Sequence, residues 1–591
     1  MSKKFEEMTT GINESAFLLT TASEMARRGW SELDVILISG DSYIDSPYMG
    51  TAVIGRILEN AGWRVGVIAQ PDILSGGDIT RLGEPRLFWG VSGGSVDSMV
   101  SNYTASNKKR RQDDYTPGGV NNRRPDRAVI AYSNLIRRYF KHTRPIVVGG
   151  MEASLRRVAH YDYWSDSVRR SILFDAKADF LLYGMCEKSV LDLARALHDG
   201  KDPLTIKGLG YIGNQPPEEY LEIPSYETVA QDKNALIDMF HLFYANNDPL
   251  TARGLYQKHG DRLLVQNPPA DFLSQEEMDA VYGLPFQRAQ HPYYERQGGV
   301  RALETIQFSI NTHRGCYGEC NFCSIAVHEG RTVRWRSAES ILDEAQKLTR
   351  MPNFKGYIQD LGGPTANMYG FECRKKLSSG ACPDQRCLFP EICPALKPDH
   401  SKQVELLQRI RQLPGVKKVF VSSGIRYDMV LADRDHGQEY LKEIVGHHVS
   451  GQLKIAPEHS QPAVLEKMGK SGPRDLIEFK SSFDKLSAAA GKRQFLTYYL
   501  IAAHPGCTEA DMHQLKKFAS QELKISPEQV QIFTPLPSTY SALMYYTGLD
   551  PFTRQPIFVE KDLRRKQHQK DLVVGKESGK KIKSRRTTRN T

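Results

Sequence analysis

Arg314-Gly315-Cys316-Tyr317-Gly318-Glu319-Cys320-Asn321-Phe322-Cys323 sets three thiols in one short stretch. Gaps of three and then two residues let a single loop wrap a cubane and place one thiolate on each of three irons. Iron–sulfur clusters ordinarily take four cysteines, so this loop leaves one iron open to another ligand. The competing reading is a structural zinc site with His313 or His328 as fourth ligand. Zinc knuckles pair their ligands at short spacing, with a second pair some way off. No regular second pair follows, and the spacing favours the open-iron cluster.

Outward from this loop the pattern is alternating. Thr305 to Ile310 is an apolar run leading into the cysteines, and further strands are predicted at Gly356 to Ile358, Val416 to Val421, Gln452 to Ile455, Phe495 to Ile501 and Val530 to Phe533. Helical spacing falls between them, at Glu339 to Leu348 and Val404 to Arg411. Six strands with intervening helices predict a partial (β/α)6 barrel, whose chemistry sits on loops at the carboxyl ends of the strands. Those ends carry Asp360 to Thr365 (DLGGPT), Ser422-Ser423-Gly424, Pro457-Glu458-His459 and His504-Pro505-Gly506. Gly362-Gly363 allows close backbone approach to a ligand.

Before the barrel, Asp34 to Gly40 (DVILISG) reads as a buried parallel strand ending in glycine. Helical spacing over Thr51 to Ala61 follows, then strands at Val65 to Ala69, Leu87 to Trp89, Ala128 to Tyr132, Ile146 to Val148 and Phe180 to Tyr183. The alternation predicts an α/β class with a Rossmann-like, doubly wound N-terminal domain, and ligands at its strand carboxyl ends. The polar loop Ser101 to Arg127 holds seven Lys or Arg around Gly118-Gly119; it reads either as a phosphate cradle or as a solvated surface loop. The expected division is residues 1–212 for the N-terminal domain, 213–300 for an inter-domain connector with helical patches, 301–560 for the barrel and 561–591 for a disordered basic tail.

The 591 residues are 40% hydrophobic and 25% charged, as in ordinary soluble proteins. No apolar run approaches 18 residues, so no membrane span is expected, and the polar start is unlike a secretory signal. Nine cysteines at metal-like spacings point to a reducing compartment, the cytoplasm. The net charge of +10 is concentrated: Lys561 to Thr591 carries twelve Lys or Arg against three acids, which leaves +1 for the rest. That distribution suggests a phosphate-rich partner, RNA included. A second group, Cys373, Cys382, Cys387 and Cys393, lies among Pro383, Pro390 and Pro394 and suits a second metal, either an auxiliary iron–sulfur cluster or zinc. Cys186 and Cys507 stand alone and read as core residues.

The cysteine loop, with Phe322 before its last cysteine, resembles the signature of the radical S-adenosylmethionine (SAM) superfamily. More of the chain resembles the YgiQ-type radical SAM family, large two-domain proteins of undefined substrate. The resemblance is carried by Gly40-Asp41-Ser42-Tyr43, Tyr115 to Gly119, Glu152 to Tyr163, Asp360 to Tyr369, Ala456 to His459 and Ala502 to Gly506. It implies a [4Fe–4S] cluster on Cys316, Cys320 and Cys323, its open iron chelated by the amino and carboxylate groups of SAM. It further implies Gly362-Gly363 at the SAM amino group, although Pro364 replaces the usual glutamate, and Ser423 and Glu458 at the ribose or carboxylate. The implied activity is reductive cleavage of SAM to a 5′-deoxyadenosyl radical that abstracts hydrogen from an unidentified substrate, with flavodoxin or ferredoxin as electron donor. The N-terminal half is similar to a cobalamin-binding domain, yet no Asp-x-His-x-x-Gly is present, which argues against histidine-ligated cobalamin. Two alternatives are a cobalamin-assisted radical methyltransferase and a non-catalytic, zinc-stabilised RNA- or ribosome-binding protein.

Overall fold

The structure, a computed structural model, describes residues 16–528 and 530–575. Its N-terminal half is built on Val35–Ser39 (β1), Val65–Ala69 (β2), Phe88–Ser92 (β3), Ile146–Gly149 (β4), Phe180–Leu182 (β5), Leu209–Gly213 (β6), Leu221–Ile223 (β7), Leu255–His259 (β8) and Arg262–Gln266 (β9). Among the described residues these nine strands form one sheet in the order β7-β8-β9-β6-β5-β4-β3-β1-β2. The β2-β1-β3-β4-β5 part is parallel, and β6, β9 and β8 add antiparallel pairings. β1 is buried along its whole length because both faces are covered: Ile36 and Ile38 enter one core, Val35 and Leu37 the other. The chain leaves β1 in one direction for β2 and returns on its other side as β3, so a crevice opens between the carboxyl ends of β1 and β3.

Three sequence expectations change here. Ala128–Tyr139 is a helix, not a strand, and its buried residues Ala128, Val129, Tyr132, Leu135 and Ile136 follow a helical period. The stretch 213–300, expected as a connector, supplies β7, β8 and β9 to the N-terminal sheet. The basic loop divides: Lys108 to Arg111 are exposed, while its glycines and last arginines are engaged by the fold. Gly118 and Gly119 donate their amides to the carbonyls of Gly299 and Thr116, at 3.1 and 2.9 Å. Arg124 is buried between Asp41 and Asp113, and Arg127 pairs with Asp162 at 2.7 Å.

The second half carries Ser309–Asn311 (β10), Tyr357–Ile358 resuming as Asp360–Gly362 (β11), Lys418–Val419 (β12), Gln452–Glu458 (β13), Phe495–Ala502 (β14) and Gln531–Ile532 (β15). Neighbours pair in parallel, and an isolated parallel bridge runs from Ile425, beyond the end of β12, to Ile455 of β13. The result is an open arc of six strands around one apolar core that includes Ile310, Leu361, Val419, Ile455 and Leu500. After β15, Tyr540, Leu543 and Met544 of the helix Tyr540–Thr547 enter the N-terminal core, so the two halves share packing. No helix among the described residues is long and apolar enough to cross a membrane.

The expected tail is partly ordered. Asp562 caps a helix, Leu563–Val574, that buries Lys566, Gln569 and Val573; residues 576–591 lie outside the described residues. The Lys566 amine donates to the Tyr545 hydroxyl at 2.8 Å and lies 4.3 Å from the centre of the Tyr545 ring. Its composition hid this helix, because the counted charges lie mostly on the exposed face. Placing a carboxylate at Val573 should destabilise the protein by about 2–4 kcal/mol in urea titrations, the cost of burying an unpaired charge. Burial lowers the Lys566 amine from its ordinary 10.5 to about 8. Between those values the folded chain releases a proton that the unfolded chain keeps, so stability rises with pH there. Relative to Lys566→Met, the wild type should therefore gain stability as pH is raised from 8 to 10; a constant difference would contradict this placement.

Candidate functional site

The cysteine loop leaves the carboxyl end of β10 and is tied down on both sides. Before it, the Thr312 amide donates to the Gly362 carbonyl at 2.8 Å, and His313-Arg314 pairs antiparallel with Arg334-Trp335. Gly315 has φ +82°, and a Cβ there would stand 2.4 Å from the Thr332 carbonyl oxygen, so only glycine fits the turn. Within the loop, Asn321 is held through its amide to the Met468 carbonyl, at 2.9 Å, and through its side chain to the Lys467 carbonyl, at 2.9 Å.

Gly318 lies between the sulfurs of Cys316 and Cys320. The Gly318 amide donates to Cys316 Sγ at 3.3 Å, and a Cβ on Gly318 would lie 3.2 and 3.5 Å from the sulfurs of Cys316 and Cys320. Burial, then the neighbouring Cys320 thiolate, pushes the Cys316 thiol up. Burial, then Cys320 and Cys316, does the same to Cys323. Three mutually repelling thiolates in a half-buried loop need a shared cation. Among the described residues no three of His, Cys, Asp and Glu converge on a single ion. One tetrahedral ion with Zn–S near 2.3 Å would draw its sulfurs to within about 4 Å of one another. In a cubane each thiolate takes a different iron, so three thiols can hold that group with one iron left open. His313 has both ring nitrogens engaged, by the Thr312 hydroxyl at 2.8 Å and the Thr365 carbonyl at 2.9 Å.

The other expected residues divide. Gly362, Gly363 and Ser423 come together: a Cβ on Gly362 would meet the Ser423 side chain at 3.2 Å, and one on Gly363 the His313 ring at 2.7 Å. The Ser423 hydroxyl donates to Asp360, which also accepts from the amides of Ser422 and Ser423 at 2.7 and 3.0 Å. Glu458 is buried at the end of β13 with φ +68°. Its carboxyl is raised by burial, and Lys470, at 3.5 Å, opposes the rise.

Of the second cysteine group, Cys373, Cys387 and Cys393 lie near one another. Cys373 packs in an apolar cluster with Phe371 and Leu388, Cys387 accepts from Lys376 at 3.6 Å, and Cys393 meets Cys387 through a backbone bond of 2.9 Å. Cys507 is buried against His459, at 3.6 Å, with its thiol pushed up to about 12 by burial, the state of an unreactive core thiol.

Sequence reasoning missed Arg426, which pairs with Asp428 and brings a guanidinium nitrogen within 3.6 Å of a Cβ built on Gly318. It also missed the space between the halves. A cavity of about 430 Å³ joins the carboxyl end of the N-terminal sheet, at Asp41, Ser92 and Gly149, to the barrel mouth at Asn311, Gly363 and Ser423. No local motif marks it, because its walls come from both domains.

The description "Radical SAM N-terminal" matches residues 17–309 and "Radical SAM superfamily" residues 310–519, with the division at the start of β10. A UPF0313 protein of Fusobacterium nucleatum subsp. nucleatum is 58% identical over 566 residues, spanning 96% of this chain and 100% of its own length. One from Thermotoga maritima is 48% identical over 566 residues, spanning 95% and 99%. The chain belongs to the UPF0313 family. It is a radical SAM enzyme, made of two radical SAM domains. Among solved structures it is similar to the radical SAM methyltransferase TsrM from Kitasatospora setae, with cobalamin and a [4Fe–4S] cluster bound, at TM-score 0.48 and 16% identity over 85% of this chain and 73% of that one. It is also similar to the cobalamin-dependent radical enzyme OxsB with aqua-cobalamin bound, at TM-score 0.48 and 11% identity over 89% and 56%.

Because a methyl group on Gly363 would overlap the His313 ring, which is held from both nitrogens, Gly363→Ala must displace the glycine loop. On the expectation that Gly362-Gly363 meets the SAM amino group, SAM affinity of that variant, measured by equilibrium dialysis, should fall at least tenfold while iron content stays at the wild-type level.

Proposed function

We propose that Cys316, Cys320 and Cys323 hold a [4Fe–4S] cluster whose fourth iron takes the amino and carboxylate groups of SAM. The observation that carries this reading is the three cysteines of one loop, with Gly318 set against the sulfurs of Cys316 and Cys320 and its amide donating to Cys316 Sγ at 3.3 Å. When bound, the cluster supplies the electron that cleaves SAM to methionine and a 5′-deoxyadenosyl radical for hydrogen abstraction.

The chain's own residues set the conditions. The Gly318 amide stabilises the Cys316 thiolate by a charge-assisted hydrogen bond. The nearby Arg426 guanidinium favours a more reduced, more negative cluster. Gly362 and Gly363 present bare backbone to the SAM amino group. Ser423, its proton committed to Asp360, offers an oxygen as acceptor, and Glu458, balanced by Lys470, reaches the same end of the barrel. The N-terminal domain closes over this mouth and keeps water from a reactive radical.

The finer identity proposed is YgiQ-type, working in the cytoplasm with flavodoxin or ferredoxin as donor. The long matched strings in both halves support the first, and the metal-like spacing of the cysteines the second. The test is anaerobic reconstitution, reduction with dithionite and assay for 5′-deoxyadenosine. Wild type should form it. Cys316→Ala, Cys320→Ala and Cys323→Ala should each lower it at least a hundredfold; full cleavage by Cys320→Ala would overturn the assignment.

A further inference from the structure

The cavity between the domains has two unlike ends. Its deep end is a slot between one face of the N-terminal sheet and the helices Gly50–Asn60 and Glu187–His198. Leu37, Phe88 and Val147 line it from the sheet, and Val53, Ile54 and Val190 from the helices. These side chains offer no hydrogen bond. At about 430 Å³ the cavity falls within the size range of small-molecule sites, roughly 300–1,000 Å³.

The other end faces the barrel and is acidic. Asp41, Glu187, Glu329 and Asp360 line it, and Arg314 is the one Lys or Arg among its described lining residues. Three of these carboxylates are answered by the protein itself: Asp41 by Arg124, Glu329 by the Gly315 amide at 3.1 Å, and Asp360 by the two serine amides. Glu187 differs. One of its oxygens pairs with Arg314, while Oε2 is buried with no hydrogen-bond partner among the described residues. The residue is 5% exposed. Buried acceptors are almost always paired, and this unpaired one belongs to a residue that lines the cavity.

We infer that the substrate is a small molecule with an apolar body and a hydrogen-bond-donating head, an amine or hydroxyl, whose body fills the slot while its head bonds Glu187 Oε2. The inference rests on the reading of the barrel mouth at Gly363 and Ser423 as the SAM site, which puts the substrate beside the radical's point of origin. It also excludes a phosphate-rich substrate from this cavity. A phosphate would meet four carboxylates and one arginine already paired, and like charges at close quarters reject a ligand. The glycine amides of the basic loop, the other place where a phosphate could have bound, are already bonded within the chain.

Three matched probes test this on the full-length protein without any need for the cluster: 1-naphthylmethylamine, 1-naphthylmethanol and 1-naphthyl phosphate, titrated by naphthalene fluorescence. The amine and the alcohol should bind saturably, the amine at least tenfold more tightly than the phosphate. Ile54→Trp and Val190→Phe fill the slot and should each weaken the amine at least tenfold, with melting temperatures recorded to confirm folding. Glu187→Gln should narrow the gap between amine and phosphate. Absence of saturable amine binding, phosphate binding as tight as the amine, or an amine titration indifferent to both slot-filling variants would overturn the inference. Formation of 5′-deoxyadenosine is scored separately. If SAM is cleaved but the probes do not discriminate, the substrate class falls and the radical reading stands; discrimination without SAM cleavage gives the reverse.

Discussion

Arg314 holds the two halves of this enzyme in register. It stands two residues before Cys316, is 11% exposed, pairs with Glu187 at the start of an N-terminal-domain helix and donates to the Tyr282 hydroxyl at 3.0 Å. A buried charge stripped of its partner costs about 3–5 kcal/mol, so the cysteine loop resists shifting unless the domains part. The same device recurs behind β10. Glu344 accepts from both Arg288 and Arg336, and Arg288 also caps the carbonyls of Gln307 and Ser309, at 2.8 and 2.9 Å. Arg288 belongs to the stretch that reads as a connector, and its role is to fix the strand from which the cysteines depart. Loop geometry, domain closure and cavity shape are thus consequences of one set of buried arginine–carboxylate contacts.

What could be read in advance depended on how locally each feature is encoded. The cysteine spacing, Gly362-Gly363 and most barrel strands are local, and the structure places them as the pattern predicts. Ala128 to Tyr132 failed because five consecutive apolar residues suit a buried strand and a buried helix equally; only the continued helical spacing to Ile136 separates the two. The β8–β9 hairpin carried a usable signal, Gly260-Asp261 as a two-residue turn between apolar stretches, but the surrounding Gln, Lys and Arg obscured it. The helix at Leu563–Val574 was hidden by a charge count, although Asp562 at its cap and the apolar run Leu572-Val573-Val574 mark it. Glu187, Tyr282 and Arg314 meet only in the folded chain, and no spacing rule joins residues so far apart.

Charge is a poor guide to chemistry in this protein. The basic surplus of the sequence suggests a polyanionic partner, yet Arg124 and Arg127 of the basic loop serve the N-terminal fold through Asp41, Asp113 and Asp162. The inter-domain cavity has the opposite character, apolar within and acidic at its mouth. Net charge describes the outer surface and its encounters, whereas the inter-domain cavity holds only a few charges, most of them already paired.

The central claim is that three thiolates of one loop hold a cluster with an iron open to SAM, and electron paramagnetic resonance tests it most directly. Reconstituted protein with about four irons per chain, reduced anaerobically, should show a spin-½ signal whose g-values change when SAM is added, because SAM becomes a ligand of the fourth iron. A reduced-cluster signal identical with and without SAM would contradict the account.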